Sequence, residues 1–161
     1  MANEDLLGDG MVKVTVCLTL SSISSPPAAE LNAGIDIQML LTKEGLGVTP
    51  EQASVDTTAL GSRSETERGG TAKHPTELTY KRKKLEADDI AFNTLTPKTD
   101  IILAVRRNKD HELAWAAGDP AEIYPLECGI YKRQPPVLNE VQKIVQTMFN
   151  HSDADTEAVV V

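Results

Sequence analysis

Residues 11–20 read MVKVTVCLTL, and their pattern sets the fold class. Val12, Val14, Val16, Leu18 and Leu20 fall on one side of an extended chain, and Lys13, Thr15, Cys17 and Thr19 on the other. Period-two alternation with β-branched residues predicts a half-buried β-strand. The next residues, SSISSPPAA, interrupt it, because two prolines remove two backbone donors and force a loop or an edge.

Strand patterns continue outward from this segment. GIDIQMLLTK (34–43) predicts a second strand, closed by the turn residues of EGLGVTP. QASVDTTAL (52–60) predicts a weaker third. GSRSETERGGTAKHP (61–75) is polar, Gly-rich and aperiodic, which predicts a loop of unusual length. TELTYKRKK (76–84) alternates again, and DIILAVRR (100–107) reads as a buried strand. AEIYPLECGIYKR (121–133) reads as a strand in which Pro125 implies an edge or a bulge.

LEADDIAFNTL (85–95) changes period. Ala87, Ile90, Ala91, Thr94 and Leu95 share one helical face, and Pro97 ends the run. VLNEVQKIVQTMFN (137–150) fits two patterns. Val141, Ile144, Val145, Met148 and Phe149 suit a helix, whereas Val141, Lys143, Val145, Thr147 and Phe149 suit a strand face. The expectation is one mainly β domain over residues 1–161, a sandwich or barrel with one flanking helix.

Composition narrows the function. The 161 residues carry a net charge of −8, which argues against a duplex-DNA binder needing a basic face. Acidic residues gather at both ends, and basic ones in YKRKK (80–84) and RRNK (106–109). Two cysteines do not make a disulfide framework. The first residues, MANEDLLGDG, lack the apolar core of a signal peptide, and no run approaches a membrane span.

No catalytic constellation emerges. His74, His111 and His151 have no metal-ligand spacing, so no metal and no cofactor is expected. His151-Ser152-Asp153 holds the letters of a triad, but sequence neighbours rarely form one. Asp88 and Asp89 suit the positive end of the helix better than an acid/base pair. Trp115, among alanines, reads as packing, and lysines in 80–84 suit a solvated edge strand.

The stretch SSPPAAELNAGIDI resembles the N-terminal region of major tail (tail tube) proteins of long-tailed bacteriophages, especially those of actinobacterial hosts. Pro27, Ala29, Leu31, Asn32, Ala33, Gly34, Asp36 and Ile37 carry the likeness. ELTYKRK, DIAFNTL, the strand ending in Arg106-Arg107, AAGDPAEIYPLECG, QPPVLNEVQKIVQTMF and the terminal AVVV fit the same family in order. The resemblance spans roughly residues 20–161.

It implies a non-enzymatic virion protein of the tail-tube β-sandwich or barrel type, assembled in the bacterial host cytoplasm. Six copies would form a ring, and stacked rings a tube through which viral DNA passes without specific binding. Partners would be further copies, the tape-measure protein in the lumen, and tail-tip and tail-terminator proteins, with no membrane insertion. It also favours a strand over 137–150. The rivals are a β-sandwich module binding glycan or protein, and a tube protein of a related contractile or secretion apparatus.

On that reading the segment 1–10, the loop 61–75 and the arm 151–161 would make contacts between subunits. Candidate contact residues are Pro26, Pro27, Asn32, Arg63, Glu65, Glu67, Arg68, Lys81, Lys83, Arg106, Arg107, Val159 and Val160. Acids on the lumen wall would repel DNA, and Glu77, Glu122 and Glu127 are the candidates there.

Overall fold

A computed structural model describes residues 4–161, so part of the expected N-terminal contact segment, residues 1–3, lies outside the described residues. Ten strands and two short helices follow in order. They are β1 (Lys13–Cys17), α1 (Ala28–Asn32), β2 (Ile35–Asp36), β3 (Leu41–Val48), β4 (Glu51–Asp56), β5 (Glu67–Lys73), β6 (Thr76–Lys81), α2 (Ile90–Thr94), β7 (Asp100–Arg106), β8 (Pro120–Arg133), β9 (Lys143–Asn150) and β10 (Asp155–Val159). Eight strands form one antiparallel sheet in the order β2-β1-β7-β8-β9-β6-β3, with β10 attached to β8. Strands β4 and β5 form a separate two-stranded ribbon.

The main sheet buries both faces over its β1-β7-β8 half. One face holds Val14, Val16, Leu103, Val105, Leu126, Ile144 and Leu78 around Tyr80. The other holds Cys17, Leu31, Ala104, Trp115, Ile123, Ala158 and Val160. Every residue of β1 is therefore buried, not alternate ones as expected. The polar face of β1 survives burial because it is satisfied. Lys13 Nζ donates to Asp36 (2.9 Å) and to the His111 carbonyl, and Thr15 bonds both Asp36 and the Trp115 indole.

The predicted strand 34–43 breaks in the middle. Both Leu40 and Leu41 amides return to the Ile37 carbonyl, so a turn separates β2 from β3. The end of the expected loop, Ala28 and Ala29, opens α1 instead, with Pro27 extended just before it. Gly34 then lets the chain pass against β1, where a Cβ would meet Thr15 Cγ2 at 2.6 Å. The predicted helix 85–95 divides into a single tight turn (Glu86–Asp88) and α2. Asp89 does not cap α2 with its side chain. It pairs with Arg82 (2.6 Å) and accepts from the Lys83 amide.

Strand β8 organises the sheet. It pairs with β7 along one side, and along the other with β10 near its start and β9 near its end. Pro125 is neither at an edge nor in a bulge. It falls where that second side changes partner, between Ile123 opposite β10 and Leu126 opposite β9, so its missing N–H removes no ladder bond. The bulge lies further on, between Cys128 and Tyr131, where Gly129 is required: a Cβ there would lie 2.4 Å from the Thr147 carbonyl oxygen. The segment 137–150 is a loop to Gln142 and then β9, a strand.

Candidate assembly interface

The β4–β5 ribbon prolongs the β3–β6 pair beyond the body. Val48 lies opposite Thr76, Thr49 donates to the Pro75 carbonyl (3.0 Å), and Glu51 lies opposite Lys73. Pro50 and Pro75 stand at the junction and supply no donors, which separates ribbon from sheet. All of β4 and nearly all of β5 are exposed. Half of the expected loop 61–75 is thus strand, missed because Gly69, Gly70 and the charges hide any alternation. Arg63, Glu65, Glu67 and Arg68 all stand exposed on this ribbon.

A two-stranded ribbon packed on nothing is marginal in water. Its registry makes matters worse, because Asp56 lies directly opposite Glu67. Only Glu51 and Lys73 form an ion pair within the ribbon (3.0 Å). At the other end of the same strands stands a basic group. Lys81 lies opposite Lys143, with Lys83 and Lys132 exposed nearby in sequence and register.

The remaining expected contact residues divide. Arg107 is exposed and pairs with Glu122 (2.6 Å). Val159 and Pro27 are partly accessible. Arg106 is not a boundary residue: it is fully buried, donating to Asp119 (3.0 Å) and to the carbonyls of Asp110, Leu113 and Ala114. Asn32 pins Trp115 through two hydrogen bonds with its backbone. Pro26 and Val160 are buried, and the arm 151–161 is built into its own chain. Val159 and Val161 amides donate to Ser24 and Pro26, and Val161 accepts from Ala28.

The three candidate wall acids do not share a face. Glu77 and Glu127 lie opposite Thr147 and the exposed Phe149, on the outer face of the sheet. Glu122 shares the face of Leu126 and Cys128, toward the first core, and bonds Tyr124 and Arg107. A cleft of about 570 Å³ separates the edges of β1 and β3. Val12, Val14, Leu41 and Leu46 line it, with Asp9, Lys43, Arg107 and His111 also around it. No side-chain hydrogen bond joins His111 to a nucleophile, and no group of three metal-ligating side chains exists among the described residues. No helix among the described residues is long and apolar enough to cross a membrane.

The phage tail tube protein family model matches residues 1–161. The chain belongs to that family. No curated protein sequence matches it. Solved structures share the fold at low identity. A chain of the anti-feeding prophage baseplate, six-fold symmetrised, is 10% identical, with a TM-score of 0.59 and 96% of both chains covered. A chain of the native gene transfer agent virion is 10% identical, with a TM-score of 0.56 over 96% of this chain and 99% of that one. The SPP1 tail tube is 11% identical, with a TM-score of 0.51 over 93% and 79%. This is a structural tail tube protein, mainly β, as the sequence resemblance implied.

Proposed function

We propose that six copies close into a ring, and that rings stack into the hollow tube of a phage tail, the conduit for viral DNA. The observation that carries this is the exposed β4–β5 ribbon, a sheet element that no face of the described body covers. Two further features support it. The main sheet ends in β2 and β3, whose outer edges are open to pairing with a neighbour. The anti-feeding prophage and gene transfer agent structures are described with six-fold and C6 symmetry.

Ring closure uses the sheet edges, and stacking uses the ribbon, since closed and open-ended contacts need different surfaces. The lumen wall includes the outer face with Glu77 and Glu127, which repels DNA instead of binding it. The protein works in the virion after assembly in the host cytoplasm. Its partners are its own copies, the tape-measure protein, and tail-tip and tail-terminator proteins. It catalyses no reaction.

Negative-stain electron microscopy of the concentrated full chain tests this. Rings with a central channel, stacked into tubes, are expected. A chain with residues 51–73 replaced by a short turn should form rings that do not stack. A wild-type chain that stays monomeric even with the tail tip present refutes the reading.

A further inference from the structure

We propose that the ribbon tip of one copy seats on the basic end of the next copy's sheet, with Asp56, Glu65 and Glu67 against Lys81, Lys83 and Lys143, so that charge sets the direction of stacking. This rests on the stacked-tube reading and names the two surfaces that meet.

Geometry places the two groups at opposite ends of one molecule. Strand β6 begins at the ribbon's root, at Thr76, and ends at Lys81, about 17 Å away at 3.3 Å per residue. The ribbon extends the same ladder in the opposite direction, through the Thr49–Pro75 bond. A contact between such ends is head-to-tail and repeats without closing.

Electrostatics pairs them. Each end holds like charges directly across a ladder, Asp56 opposite Glu67 and Lys81 opposite Lys143. Such pairs are unfavourable in isolation. Among the described residues Glu65, Glu67 and Asp56 make no ion pair, and neither do Lys81 and Lys83. Among the described acids Lys143 pairs only with the nearby Glu140 (3.1 Å). The tip also carries the exposed Arg63 and Arg68, so its three acids leave only a small acidic excess, but that excess is the counter-charge of the lysine cluster at the other end. Head-to-head and tail-to-tail contacts would instead set the like-charged pairs Asp56–Glu67 or Lys81–Lys143 against their own kind, which disfavours reversed stacking.

Apolar groups accompany the charges. Leu60 at the ribbon tip is wholly exposed, and Leu138, in the loop between β8 and β9 at the basic end, is 91% exposed. Val137 and Val141 flank Leu138, and Pro135 and Pro136 stiffen the loop. An apolar anchor within a charged rim is the composition of a protein contact. Duplex DNA could also meet the lysines, but it offers nothing to Leu138 and would face a chain of net charge −8.

Charge reversal at each end tests the pairing. Two full-length variants, Glu65→Lys with Glu67→Lys, and Lys81→Glu with Lys83→Glu, are compared with a chain carrying all four changes. Far-ultraviolet circular dichroism and melting confirm folding, since these side chains lie outside both cores. Tube length is read by electron microscopy and sedimentation.

Each two-site variant should give rings but shorten tubes by about tenfold, several exposed pairs acting together around a ring. The four-site chain should recover its tubes. Unchanged tubes in the two-site variants, or no recovery in the four-site chain, overturns the pairing while leaving the tube intact. Duplex DNA bound by wild type and lost with Lys81→Glu and Lys83→Glu, at unchanged tube length, assigns the basic end to nucleic acid instead. A wild type that forms neither rings nor tubes removes the functional reading itself.

Discussion

Replacing Arg106 by methionine should be among the most damaging single changes in this chain. The guanidinium is fully buried and donates four hydrogen bonds, to one carboxylate and three backbone carbonyls. It also lies 5.2 Å from the centre of the Trp115 ring. Together these contacts hold residues 108–120 against the sheet as the lid of the second core. The substitution leaves Asp119 buried with fewer partners, which by itself costs about 3–5 kcal/mol. Two features place this case at the low end. Lys109 and the Ala116 amide still bond the Asp119 carboxylate, and Asp110, Leu113 and Ala114 are exposed enough for water to serve their carbonyls. The buried Arg106 Nε already lacks a partner, so the wild-type arrangement is not ideal either.

The expected loss is then about 3 kcal/mol. With a urea m-value of about 2 kcal/mol per molar, the unfolding midpoint falls by about 1.5 M. Arg106→Lys keeps a cation near Asp119 but loses the fork to the carbonyls, and should fall about half as far. Equilibrium unfolding followed by Trp115 fluorescence and by circular dichroism reads both. An Arg106→Met midpoint within about 0.3 M of wild type, at unchanged m, would refute this account of the lid.

Three further outcomes follow from the same contacts. Burial raises the Asp119 carboxyl, but hydrogen bonds from Lys109, the Ala116 amide and Arg106 outweigh it and hold the group below the usual carboxylate range. A depressed folded value gives stability that is present above the unfolded value, about 3.9, and is lost as pH falls through the folded one. Arg106→Met should therefore move the acid limb of an unfolding profile to higher pH. Burial first, then Glu30 and Asp36 for Cys17 and Asp100 and Glu127 for Cys128, push both thiols up to about 11. Neither should react with an aromatic disulfide reagent at pH 8 until urea unfolds the chain, and fast labelling of the native protein would contradict their burial. Gln146 is buried and links Tyr80, the Leu95 carbonyl and the Gly129 carbonyl. Gln146→Leu should cost about 2–3 kcal/mol by orphaning them, and a melt unchanged from wild type would show that the network contributes nothing.

How much of this was legible in the sequence depends on where charge is buried. Alternation located β1 and β6, and dense apolar content located β7 and β8, because their first-core faces are largely apolar. The second core stayed hidden. Lys13 and Arg106 read as surface residues, and only three-dimensional partners, Asp36 and Asp119, make them interior. In β9 the buried face is Ile144, Gln146 and Met148. A glutamine interrupts the apolar period, which let a false helical pattern, mixing residues from both faces, compete. Of the ribbon, β4 showed only as a weak strand over 52–60 and β5 not at all, since the ribbon has no buried face. Its role was legible only as an unusually long polar stretch, and the lysines at the far end only as a basic run.

The proline junction has a mechanical consequence. Between body and ribbon the ladder narrows to the single bond from Thr49 to the Pro75 carbonyl, flanked by two residues without donors. Stiffness in a strand pair comes from the density of its cross-links, so this is the most compliant point along the ribbon. In a stacked assembly every ring-to-ring load would cross it. When such a tube curves, the ribbons on the outer side must stretch and those on the inner side must fold, while the double-cored bodies keep their shape. Flexibility would then reside in a repeating set of hinges between rigid discs, leaving the bore of each disc unchanged.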